Sequence, residues 1–204
     1  MADRSLSVNL AAVTVLAAVF TALCLLFPGQ IVGVYIEDDP MVLSAGREYL
    51  ARVAWTYLPM GLASILSVMI RCMGRAVWPL FAGISAAAVN TGLNYGLIFG
   101  HFGLPALGVT GAAIASVISQ GINLALILAM FCRLRVRGRG FRFSLSLGAG
   151  GWRQYLVMLL PILVNEFLWS LGQNVNTYIY GHLEPGDLAA MSMTGPVQGL
   201  FIGA

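Results

Sequence analysis

From Ala76 to Cys132 the chain runs for 57 residues without one Asp, Glu, Lys or Arg. A water-soluble domain carries about 25% charged residues and does not sustain such a gap. One bilayer crossing needs only about 20 apolar residues to cover ~30 Å of hydrocarbon. The run is therefore too long for a single crossing and has to turn within itself. Gly100-His101-Phe102-Gly103-Leu104-Pro105 supplies turn residues near its middle. Two membrane helices are expected, at about 77–99 and 108–132.

The remainder of the chain follows the same logic. Of 204 residues, 59% are hydrophobic and 9% charged, and the mean hydropathy is +0.85. A chain this apolar cannot cover its surface with polar groups, so lipid is its solvent. No charge occurs between Ser5 and Ile36, which predicts a helix at about 7–27 ending at Phe27-Pro28-Gly29. The apolar run there is longer than the core of a signal peptide, and no small-x-small cleavage site follows it. A second helix is expected at about 48–70, between Arg52 and Arg71, and another at about 153–181. Leu188 to Ala204 reads as the beginning of a further helix. The fold class is all-α, a multi-pass integral membrane bundle. Residues 1–140 form one part with four spans and a basic linker, and 141–204 begin a second.

The arginines set the expected orientation. With a cytoplasmic N-terminus, nine of them (Arg4, Arg71, Arg75, Arg133, Arg135, Arg137, Arg139, Arg142 and Arg153) lie inside with Asp3. Only Arg47 and Arg52 lie outside, with Glu37, Asp38, Asp39, Glu48, Glu184 and Asp187. That is a positive-inside distribution for a protein of the cell (inner) membrane. The run from Arg133 to Arg142 reads as a stop-transfer linker, with a lipid-headgroup or nucleic-acid patch as the alternative. The modest net charge of +3 gives no reason to expect a nucleic-acid partner. Cys24, Cys72 and Cys132 are scattered without metal-ligand spacing and read as small apolar fillers. No metal or other cofactor is expected, and His101 and His182 make no site between them.

Polar residues inside the spans are the candidate functional groups. Asn90 and Asn94 share a face of the third helix with Ala82 and Ala86. Gly111, Ala115 and Ser119, near Gln120 and Asn123, mark a face of the fourth. Small residues at four-residue spacing let helices approach, and Asn or Gln bonds across the contact, so packing and cavity lining are both open readings. The helix at 153–181 has a wider polar face: Glu166, Ser170, Asn174 and Thr177 on one stripe, Asn165, Trp169, Asn176 and Tyr180 beside it, with Gln173 and Tyr178. Such a face suits the wall of a water-filled cavity, and Pro161 should kink the helix. Glu166 is the one acid well inside a span. A charge at the bilayer centre costs ~2.5–3.5 kcal/mol on insertion scales, a cost relieved by protonation, pairing or a bound cation. Glu166 is thus either a group that exchanges H⁺ or Na⁺ for a cationic substrate or a protonated structural hydrogen bonder.

Several stretches together resemble the MATE (multidrug and toxin extrusion) family of transporters, in the MOP flippase superfamily. Phe27 to Pro40 followed by Glu48-Tyr49-Leu50 resembles that family's loop between its third and fourth helices. Ile70 to Pro79 is similar to its Arg-Gly-x-Gly-Asp-x-x-x-Pro turn, with Cys72 and Arg75 in place of the usual Gly and Asp. Asn90 to Gly100, Leu104 to Ala115 and Leu160 to Trp169 follow in the family's order. The resemblance implies a two-lobed, twelve-helix antiporter, of which this chain would hold helices three to seven and the start of eight. It implies export of organic, often cationic, small molecules in exchange for H⁺ or Na⁺. The expected partners are the bilayer, the organic substrate and the absent helices. A flippase for lipid-linked or polysaccharide precursors and a non-transporting truncated bundle are the competing readings. An enzyme is not expected, since no His pair, paired aspartates or Ser-His arrangement lies within the spans.

Overall fold

A computed structural model describes residues 2–34, 40–136 and 148–181, and every described regular element is helical. Helix α1 spans Ala2–Leu26 and α2 spans Pro28–Gly33. Helix α3 (Pro40–Val53) runs through a single 3₁₀ turn, Ala54–Thr56, into α4 (Tyr57–Cys72). Helix α5 is Val77–Phe99, α6 is Val109–Val136 and α7 is Gly148–Gly181. The basic run beyond Val136 and the segment from Leu188 lie outside the described residues.

Proline and glycine account for most of the helix limits. The Phe27 amide still reaches the Leu23 carbonyl at 2.9 Å, but Pro28 has no amide to continue the ladder and opens α2 instead. Gly100 takes the left-handed conformation after α5 (φ 74°), where a glycine is tolerated without strain. The Leu107 amide then returns to the Leu97 carbonyl at 2.8 Å, satisfying an acceptor at the helix end. His101 stacks on Tyr95 with ring centroids 4.4 Å apart, so this histidine packs the turn.

One helix differs from expectation. The second span begins at Pro40 rather than near Glu48, because Glu48 and Arg52 do not end it. They pair at 2.7 Å as i,i+4 neighbours on its surface, and the helix carries on past them. Its 3₁₀ turn precedes Pro59, which cannot donate to the Trp55 carbonyl. Thr21 Oγ1 of α1 donates to the Ala54 carbonyl at 3.2 Å, and Thr56 Oγ1 to the Val53 carbonyl at 2.6 Å.

Among the described residues four segments are long and apolar enough to cross a membrane: Leu6–Leu26, Pro40–Cys72, Val109–Leu134 and Gly151–Ile179. Helix α5 has the length, at 23 residues, but Asn90 and Asn94 dilute its apolar character.

The chain divides into two compact units, Met1–Pro28 with Ser44–Leu147, and Gly29–Leu43 with Gly148–Ala204. In the first, α6 packs most extensively on α5 and also on α4, while α1 packs on α4. The side chains inside this bundle are mostly small: Ala54, Ala63, Ala82, Ala113 and Ala115 are almost fully buried. The larger core residues, Leu6, Leu66, Ile70, Ile127 and Phe131, gather at one end. Large apolar residues such as Leu16, Phe20, Phe81 and Ile84 face outward, the arrangement expected where lipid is the solvent.

Close helix approach depends on two glycines. A Cβ at Gly61 would come within 2.7 Å of Val13 Cγ1 on α1. One at Gly111 would meet the backbone of α5 itself, 2.5 Å from the Leu97 carbonyl oxygen.

Candidate functional site

The first unit holds a polar seam between α5 and α6. Asn90 Nδ2 donates to Ser119 Oγ at 3.1 Å, and Asn94 Nδ2 donates to Asn90 Oδ1 at 3.0 Å. Ser119 Oγ in turn donates to the Ser116 carbonyl at 3.0 Å, and Ser116 Oγ to the Ala112 carbonyl at 3.0 Å. The sequence positions the chain of bonds. Asn90 and Asn94 are one turn apart on α5, and Gly111, Ala115 and Ser119 form the small face of α6 that lets α5 come close.

Two acceptors in this region lack partners. Asn94 Oδ1 and Gln120 Oε1 are buried and make no hydrogen bond. An unmet buried acceptor costs about 1–3 kcal/mol. Asn94 Oδ1 thus leaves one acceptor of the seam open to a further donor.

The second unit carries the polar face of α7. Asn165, Glu166, Trp169, Ser170, Gln173, Asn174 and Tyr178 are exposed, and Thr177 is partly buried. Asn174 Nδ2 donates to the Ser170 carbonyl at 2.8 Å and to its Oγ at 3.4 Å, and Thr177 Oγ1 donates to the Gln173 carbonyl at 2.9 Å. Pro161 lies within the helix, which continues through it although the Val157 carbonyl receives no amide from that position. The structure thus brings Asn90, Asn94 and Ser119 together directly, and places the α7 residues along one helix.

Sequence reasoning did not single out Arg52 as a tether. Its guanidinium pairs with Glu48 and also donates to Thr110 Oγ1, joining α3 to the start of α6. The charge of Arg52 near a span end was the visible signal, but its partner lies 58 residues away in sequence. Among the described residues no group of three or more His, Cys, Asp or Glu is placed to hold a metal ion.

The MatE family profile matches residues 1–96. Those residues are a MatE domain. It takes in α1 to α4 and α5 as far as Gly96, so Asn90 and Asn94 belong to it, whereas Ser119 and Gln120 follow it. The MatE family is one of membrane transporters, not of enzymes. Curated relatives extend the likeness along the chain. "Probable multidrug resistance protein NorM" of Agrobacterium fabrum is 35% identical over 108 residues, 53% of this chain and 23% of that protein. The protein of the same name in Bacillus cereus is 28% identical over 162 residues, 72% of this chain and 35% of its own length. That of Thermotoga maritima is 25% identical over 178 residues, 84% of this chain and 37% of its own. The matched part of the chain thus spans between about a quarter and two fifths of these relatives' length. No solved structure matches the chain.

Proposed function

We propose that this chain forms part of a secondary antiporter that exports organic, often cationic, small molecules in exchange for H⁺ or Na⁺. The MatE domain at residues 1–96 carries the reading. The four helices among the described residues that are able to cross a membrane, and the wide polar face on α7, support it. The relatives' printed names, which speak of multidrug resistance in those proteins, point the same way.

In this reading Glu166 is the coupling group. A carboxyl at that depth is tolerated when protonated or cation-bound, and giving up that ion to admit a cationic substrate links the two fluxes. Asn165, Trp169, Ser170, Gln173, Asn174, Thr177 and Tyr178 then line the substrate path with hydrogen bonders and aromatic faces. Within the first unit, Asn90, Asn94 and Gln120 are the cavity-lining polar groups of the same reading. Pro161 leaves α7 a point where it bends at low cost. The N-terminus is cytoplasmic by the distribution of arginines, and the protein resides in the cell membrane. The remaining helices of the transporter are the partners that complete the path.

The test uses the full-length protein in cells stripped of other efflux pumps and in inverted membrane vesicles. Glu166→Gln abolishes substrate movement driven by an imposed H⁺ or Na⁺ gradient while the protein still reaches the membrane. Undiminished gradient-driven export by that variant removes Glu166 from the mechanism. Export by the unaltered protein that ignores both gradients removes antiport altogether.

A further inference from the structure

The core of the first unit closes at one end on Leu6 of α1, Ile70 of α4, Trp78 of α5 and Leu134 of α6, so the end of α4 and the start of α5 share a level with the end of α6. Arg71, Arg75 and Arg133 stand exposed at this end. None makes a side-chain hydrogen bond or ion pair among the described residues. Nor is Arg71 needed to cap α4. The carbonyls of Met69, Ile70 and Arg71 already accept the amides of Met73, Gly74 and Arg75 at 2.9–3.2 Å.

Beside Arg71 a cleft of about 510 Å³ opens between α4, α5 and α6. Ser67 and Arg71 line it from α4, Leu80, Gly83 and Ile84 from α5, and Asn123 from α6. Its polarity is graded. Arg71 stands at the end of Pro40–Cys72, a segment long and apolar enough to cross a membrane. The α5 wall leads inward from there and is apolar, with Gly83 leaving a trough in which an added Cβ would meet nothing within 4 Å. Ser67 and Asn123 are the neutral polar groups on the facing helices.

We propose that this cleft holds one anionic phospholipid, with its phosphate on Arg71 and Arg75 and an acyl chain along Leu80, Gly83 and Ile84. Guanidinium is the side chain best matched to a phosphate, and a basic pocket between membrane helices at headgroup level is suited to an acidic lipid. Ser67 and Asn123 are donors suited to the ester oxygens. A free inorganic anion would use the arginines and leave the apolar wall without a purpose. A cationic solute would be repelled by the unpaired arginines. The inference needs only the membrane setting and is independent of what the protein transports.

The experiment places the purified full-length protein in phosphatidylcholine nanodiscs doped with a photoactivatable acyl-chain probe, either phosphatidylglycerol or phosphatidylcholine. Crosslinks are mapped by mass spectrometry to the α5 peptide containing Leu80–Ala87. The phosphatidylglycerol probe should label this peptide more than the phosphatidylcholine probe. Arg71→Gln and Arg75→Gln should each reduce that preference by about fivefold, the equivalent of about 1 kcal/mol per basic residue at an anionic surface. Gly83→Leu should lower labelling by both probes. Equal labelling by the two lipids in the unaltered protein overturns the proposal, with no variant required. A preference untouched by the arginine substitutions, or labelling abolished by inorganic phosphate, overturns it as well.

Discussion

Gly111 and Leu97 bring α6 and α5 into backbone contact: a Cβ at 111 would lie 2.5 Å from the Leu97 carbonyl oxygen and 2.7 Å from its carbonyl carbon. Backbone cannot rotate aside as a side chain can, so Gly111→Ala must push the helices apart. Overpacking of this kind costs about 1–3 kcal/mol, outweighing the ~1 kcal/mol that alanine gains over glycine in a helix. Thermal unfolding in detergent should show a lowered Tm for Gly111→Ala. Gly121→Ala, where a Cβ meets nothing within 4 Å, should show none.

Between α1 and α4 the obstacle is a side chain. Gly61→Ala brings a methyl against Val13 Cγ1 at 2.7 Å. The same unfolding measurement should show destabilisation by Gly61→Ala and recovery when Val13→Ala is added. Failure of the second change to restore stability would mean that the helices do not meet at this pair.

The hydrogen bond from Asn90 to Ser119, 3.1 Å long, should appear as coupling in a double-mutant cycle. Bonds between membrane helices average about 0.6 kcal/mol in such cycles and reach ~1.7. Asn90→Ala and Ser119→Ala should therefore be less than additive by roughly that amount. Strict additivity would show that the seam holds its helices by shape alone.

Orientation is read by labelling intact cells with a membrane-impermeant maleimide, in a background where Cys24, Cys72 and Cys132 are replaced. Met41→Cys, 81% exposed at the start of α3, should react from outside. Arg75→Cys, in the turn between α4 and α5, should react only after the cells are opened. The reverse pattern would invert the protein in the membrane.

How far the fold can be read from sequence varies by element. The limits of α5, 77–99, are legible because Arg75 and Gly100 bracket an uncharged run, and one of them takes the left-handed turn that ends the helix. The start of α3 is not, since Glu48 and Arg52 look like the edge of a span when each charge is weighed alone. Their i,i+4 pairing, which neutralises them on one helix surface, is a feature of the folded chain. The seam of Asn90 and Asn94 is legible as a face, and so is the small face of α6. That Ser119 is the partner depends on helix register, which spacing within either helix does not fix. The cleft beside Arg71 draws on three separate helices and has no contiguous signature at all.

The placement of alanines and glycines inside, with bulky side chains turned outward, reverses the usual map of mutational tolerance. In a protein dissolved in water the heavy residues are the irreplaceable ones. Here outward-facing residues such as Leu16 and Phe81 present most of their surface to a fluid that conforms to whatever is offered, and another oily side chain serves there. It is Ala82, Ala113 and Gly111, residues a screen would pass over as fillers, where adding a single carbon decides whether the bundle closes.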